Sequence, residues 1–144
     1  MQRIVIDTNV LVSALLSKKG APSQILDAWR KRKFLVVTNE AAILEVERVL
    51  GELKSTGKYA LSNEDIATVS NLLRKDTLIV PGDSDTSGAI LEDPDDEKFL
   101  SIALDGDAEI IISGDKHLLD LGTFRNISIQ TAHQFLDSIQ KESA

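Results

Sequence analysis

The sequence predicts an α/β fold, a mostly parallel sheet of about five strands with helices packed against it. Three observations support this. Short β-branched runs alternate with longer amphipathic stretches, the order expected of βαβ units. Four of the five candidate strands are nearly continuous apolar runs, which suit strands covered on both faces. The 144 residues are 42% hydrophobic and no linker divides them, which fits a single domain over residues 1–144 with one sizeable core.

In chain order, the candidate strands are Ile4–Ile6, Phe34–Val37, Thr77–Val80, Ile110–Ile112 and Ile127–Ile129. Helices are expected near residues 10–16, 22–32, 39–53, 63–75, 96–105 and 132–140. Pro22 suits a first helical turn, where its missing N–H costs nothing. Ser62 stands before Glu64 and Asp65, whose charges complement the positive end of a helix dipole. Thr131 with Gln134 three residues on is a capping box. The long irregular stretch from about Pro81 to Pro94 is of the kind that often carries function.

Lys and Arg total 16 and Asp and Glu total 23, so the formal net charge is −7. Such a chain repels polyanions on average, and a nucleic-acid partner requires cations or a local basic patch. The charge is unevenly spread. From Asp83 to Glu109 ten acids stand against the single base Lys98, whereas Arg30, Lys31, Arg32 and Lys33 form a basic run. Cysteine is absent, which removes disulfides, thiolate zinc sites and a cysteine nucleophile. Without a leader-like segment or an apolar run of the roughly 18–20 residues a bilayer span needs, the chain reads as a soluble cytoplasmic protein with no membrane partner.

Several acids stand where a carboxylate is costly. Asp7 follows the Ile4–Ile6 run and should lie at the carboxyl end of a central strand, the edge where open α/β sheets bind ligands. Taken alone, it reads slightly better as the cap of the helix that follows. Asp115 repeats the arrangement after Ile110–Ile112, with Lys116-His117-Leu118-Leu119 continuing as a short helix. Two such acids on adjacent parallel strands repel each other unless a cation or shared proton intervenes. Asp96 shares a helical stripe with Phe99, Leu100 and Ala103, so it points toward the protein, where an unpaired charge is expensive. On the helix of residues 39–53, Glu45 and Glu47 both border the apolar stripe, and periodicity does not choose between them. Three or four acids at one sheet edge make an all-oxygen site for Mg²⁺ or Mn²⁺. The chemistry that most often uses such a site is phosphoryl hydrolysis.

Asp7-Thr8-Asn9 after a strand, Glu45 on a helix, Asp93-Pro94-Asp95-Asp96-Glu97-Lys98-Phe99-Leu100, and Ser113-Gly114-Asp115 after another strand together resemble the PIN-domain family over nearly the whole chain. The stretches Asp7 to Leu16, Asp93 to Leu100 and Ser113 to Asp115 resemble a bacterial and archaeal branch of toxins from toxin–antitoxin pairs. The resemblance implies a three-layer α/β/α fold and a metal-dependent ribonuclease related to the VapC toxins. It selects Glu45 over Glu47 and implies Asp7, Glu45, Asp96 and Asp115 as catalytic, metal-holding acids. Asn9 would organise the loop and Ser113, in place of the commoner Thr, would supply a hydroxyl. Asp93 is a further possible ligand, although a turn role before Pro94 suits it better.

The implied reaction is endonucleolytic hydrolysis of RNA with Mg²⁺ or Mn²⁺, leaving a 5′-phosphate and a 3′-hydroxyl. Arg30, Lys31, Arg32, Lys33 and Lys116 are candidate RNA contacts, because phosphates supply most sequence-independent affinity. The basic run equally suits the negative end of the helix at 22–32. A small antitoxin and a homodimer are implied partners. The alternative is a PIN fold without catalysis, an RNA-binding or protein-interaction module. A receiver-like domain is excluded because Phe34 to Thr38 ends without an acid, and a haloacid-dehalogenase-like phosphatase because Asn9 stands where it needs a second Asp.

Overall fold

The computed structural model describes residues 1–86, 89 and 97–143, with side chains to residue 141. Six strands form one sheet: β1 (Arg3–Ile6), β2 (Leu35–Thr38), β3 (Thr77–Ile79), β4 (Ile110–Ile112), β5 (Thr123–Phe124) and β6 (Ile127–Gln130). Their order is β3-β2-β1-β4-β6-β5, all parallel except for the antiparallel β5–β6 pair. The helices are α1 (Thr8–Leu16), α2 (Ala21–Arg30), α3 (Glu40–Ser55), α4 (Asn63–Lys75), α5 (Glu97–Asp105), α6 (Lys116–Leu121) and α7 (Ala132–Ser143).

Three of the four apolar strands, β1, β2 and β4, are covered on both faces, whereas the edge strand β3 leaves Ile79 exposed. Ile4, Ile6, Val36, Ile110 and Ile112 join a core built with α1, α2, α3, α4 and α7. Val5, Val37, Ile111 and Ile129 turn to a smaller core under α5 and α6. Alternate residues of one strand thus enter opposite cores, the reason these strands read as unbroken hydrophobic runs.

The expected mostly parallel sheet of about five strands is present, with one further short strand at its edge. The sixth, β5, is only two residues long and returns through Arg125 and Asn126, both at positive φ. That is a two-residue hairpin turn, which an antiparallel neighbour permits. No apolar run announces so short a strand. The other elements lie within two or three residues of their expected bounds. Both Thr131–Gln134 hydrogen bonds of the capping box are present, at 2.9 and 3.1 Å. Ser62 and Asp65 form a second box at the start of α4.

Two features place the site. The chain runs β1 to β2 to β3 in one direction and then crosses to β4 on the other side of β1, so the switch in strand order lies between β1 and β4. The loop entering the region before α5 is also fixed. The Asp105 carboxylate accepts from Gly82 N at 2.7 Å, Asp83 N at 2.8 Å and the Ser84 hydroxyl. Ser101 Oγ then donates to Ser84 O at 2.8 Å.

Candidate active site at the switch point

β1 and β4 pair in register, Ile6 opposite Ile112, so the residues after them leave the sheet side by side. Asp7 N donates to Ile112 O at 2.9 Å, carrying the pairing one step beyond the strand. The Asp7 side chain then turns into the protein and is only 4% exposed. Its Oδ1 accepts from Asn9 N at 3.2 Å and its Oδ2 from the Ser113 hydroxyl at 2.7 Å. Ser113 is fully buried, and its Oγ also accepts from Asp115 N at 2.9 Å. A single hydroxyl therefore ties both strand-end acids together. Asp115 caps α6 through Leu118 N at 3.0 Å and remains half-buried. Capping and clustering are both realised, by different oxygens and different strands.

Electrostatics join Glu45 to this pair. Burial pushes the Asp7 carboxyl above its ordinary value, the bonds from Ser113 and Asn9 oppose the shift, and the negative charges of Asp115 and Glu45 add to it. Burial also pushes Glu45 up, but Lys98, the Thr8 hydroxyl and the charge of Arg48 outweigh it and hold that carboxyl below the usual glutamate range. Lys98, from the second residue of α5, forms an ion pair with Glu45 Oε2. The Thr8 hydroxyl lies toward Glu45 but makes no hydrogen bond. Among the described residues it is the buried side-chain polar atom left without a partner. Glu47 faces elsewhere, toward α4, where it pairs with Arg74 at 2.6 Å and accepts from Ser70.

The structure thus brings Asp7, Ser113 and Asp115 together with Glu45 close by, and sets Asn9 in the first turn of α1 beside them. Asp96 and Asp93 lie outside the described residues. The apolar stripe in which Asp96 is expected is present, since Phe99, Leu100 and Ala103 are buried. Lys116 is exposed on the same edge of the sheet. Arg30, Lys31, Arg32 and Lys33 are not on that edge: they join the end of α2 to the start of β2, at the opposite, amino-terminal edge. All four are exposed, and Arg32 reaches Asp76 at 3.6 Å. Sequence reasoning missed Thr8 and Lys98. Thr8 had a signal, a hydroxyl between the strand-end Asp7 and the apolar run that begins at Val10, whereas the pairing of Lys98 with Glu45 spans 53 residues and had none.

The sequence pattern of the PIN domain matches residues 3–117. The chain belongs to the PIN-domain family. With it come a nuclease-type function in general terms and an expectation of nucleic-acid binding, since PIN domains are generally metal-dependent nucleases. The uncharacterized protein MJ1680 of Methanocaldococcus jannaschii is 28% identical to the chain over 147 positions, covering 96% of the chain and 92% of the relative. No helix among the described residues is long and apolar enough to cross a membrane.

The divalent ions typical of PIN domains can be tested against the donors present. Asp7, Glu45, Asp115 and Ser113 offer only oxygen, the chemistry of a hard cation. Asp7 is held in a field of two other carboxylates that a cation would relieve. Among the described residues no three acids or histidines converge closely enough to form a complete metal cage. The donor set fits the chemistry, and the described part of it is two strand-end acids bridged by serine, with Glu45 held beside them by lysine.

Proposed function

We propose that the chain is a Mg²⁺- or Mn²⁺-dependent endoribonuclease that hydrolyses RNA phosphodiester bonds, acting as one domain over residues 1–144. The observation that carries this reading is the serine-bridged pair of Asp7 and Asp115 at the switch point, with Glu45 near enough to push Asp7 up. Asp7 and Asp115 would hold the cation, with Glu45 drawn in from its pair with Lys98 and Asp96 as the fourth acid that the family resemblance supplies. Bound there, the ion would polarise the phosphate, activate water and stabilise the leaving oxygen.

The chain's own residues do the rest. The Ser113 hydroxyl fixes the Asp7 carboxylate by donating to its Oδ2 and, by accepting at Oγ from Asp115 N, fixes the backbone of Asp115. Asn9 N occupies Oδ1, so Asp7 keeps one orientation. Lys98 is a positive charge at the rim, suited to a phosphate oxygen. The motifs shared with toxin–antitoxin toxins support a toxin acting in the cytoplasm, with a small antitoxin and a second copy of the chain as partners. A short open reading frame for a DNA-binding antitoxin beside the gene would support that role.

The Glu45–Lys98 pair favours a second reading, a PIN fold without catalysis that binds RNA or protein. One assay separates them. End-labelled single-stranded RNA is incubated with the protein and Mn²⁺, with a chelator control and Asp7→Asn in parallel. The nuclease reading expects metal-dependent cleavage leaving a 5′-phosphate, reduced at least ~100-fold by the substitution, beyond the loss typical of residues that merely support a metal ligand. RNA that is bound but not cut would establish the non-catalytic module instead.

A further inference from the structure

A cleft of about 460 Å³ opens beside Asp115, on the side of the site away from Glu45. It is lined by Asn9 and Ser13 of α1, by Ser113 to Lys116 after β4, and by Thr131 and Ala132 at the start of α7, with Val10 and Pro22 as apolar walls. Ser113 and Asp115 belong both to the cleft and to the candidate active site, so a ligand seated in one abuts the other. The volume is within the roughly 300–1,000 Å³ of small-ligand sites.

We propose that this cleft is a nucleotide subsite, holding the phosphate and ribose of the nucleotide next to the scissile bond of a single-stranded RNA. The assignment rests on reading the strand-end acids as the reaction centre. The lining chemistry suits this ligand. Lys116 is the cation of the cleft and is exposed, with no ion pair among the described residues. The side chains of Asn9 and Ser13 are exposed and make no hydrogen bond to another described residue, so their donors are free for phosphate and hydroxyl oxygens. Asp115 is the half-buried acid of the cleft and Lys116 its exposed base, so a polyanion meets the lysine first, by its flanking phosphate rather than by the reacting one. Among the described residues no aromatic side chain lines the cleft, so they offer bases no stacking platform and recognition falls on the backbone. The other basic run lies at the opposite edge of the sheet and does not line this cleft.

The test titrates a labelled five-nucleotide single-stranded RNA into the protein with Ca²⁺ present, for wild type, Lys116→Ala, Ser13→Trp and Lys58→Ala. Binding is read by anisotropy across a salt series and by amide shifts, and cleavage with Mn²⁺ gives KM and kcat. Lys116→Ala should lower the slope of log affinity against log salt by about 0.7, the value of one phosphate on a single strand. Ser13→Trp should fill the cleft and weaken binding by at least ~5-fold, both variants raising KM far more than they change kcat. Amide shifts should gather at Ser13, Gly114, Lys116 and Thr131, and Lys58→Ala should bind as wild type does.

If RNA is cut normally while both cleft variants bind as wild type does, the subsite is overturned and the nuclease reading stands. If wild type binds RNA with these signatures and cuts nothing, the nuclease reading fails and the cleft remains a nucleotide site. No binding by wild type overturns the subsite outright.

Discussion

The acids at the ends of β1 and β4 are held by the backbone and one buried hydroxyl, whereas Glu45 is held by a lysine that is itself 40% exposed. Register explains the first half. Ile6 stands opposite Ile112, so Asp7 and Ser113 have nowhere to go but beside each other, and short side chains bond at 2.7 Å with little entropy to lose. The second half joins α3 to α5 through two long side chains, an arrangement that water and salt can loosen. One half is rigid before any ligand arrives, and the other can exchange its partner.

Breaking the rigid half should have the largest effect on stability. Ser113→Ala removes a buried donor from Asp7 and a buried acceptor from Asp115 N, and should cost about 2 kcal/mol by chemical denaturation. Next comes the charge it serves. Because the Asp7 carboxyl is raised above its ordinary 3.8, the folded state binds its proton more tightly than the unfolded chain does. Stability from this group is therefore greatest below that value and is lost as pH rises to the raised folded value. Asp7→Asn should remove that fall and, at pH 7, stabilise the protein by about 1 kcal/mol, a gain typical of relieving a functional site. A melting series from acid to neutral pH checks both the size and the sign.

The helix-borne half should respond less. Lys98→Met should change stability by about 0.5 kcal/mol or less, as exposed ion pairs do, and the change should shrink with added salt. Thr8→Val, which removes a buried hydroxyl that completes no hydrogen bond, should fall within about 0.5 kcal/mol of neutral. A Lys98→Met loss equal to that of Ser113→Ala would erase the distinction between the halves.

What is legible in the sequence follows the same division. Strands buried on both faces announce themselves as apolar runs, and the acids that end them fall at the carboxyl edge, but that Asp7 and Asp115 leave neighbouring strands follows from the strand order, which the amino-acid order does not state. The stripe of Phe99, Leu100 and Ala103 is readable from helical geometry for the same reason. The choice between Glu45 and Glu47 is not, because both border the stripe of α3 and only distant partners separate them: Arg74 and Ser70 on one side, Lys98 and Asp7 on the other. The basic run of Arg30 to Lys33 suits RNA by composition, yet the strand it leads into starts at the far edge. The edge strand β5 is hidden because a two-residue strand is defined by its hairpin partner and not by its own pattern.

If the strand-end acids and Glu45 share one cation, calorimetric titration of Mn²⁺ into wild type, Asp115→Asn and Glu45→Gln will register it. Wild type should bind saturably, and each variant should lose at least ~10-fold in affinity, the rigid and the exchangeable half alike. Wild-type binding that Glu45→Gln leaves unchanged, or no binding by wild type at millimolar Mn²⁺, would contradict the shared site.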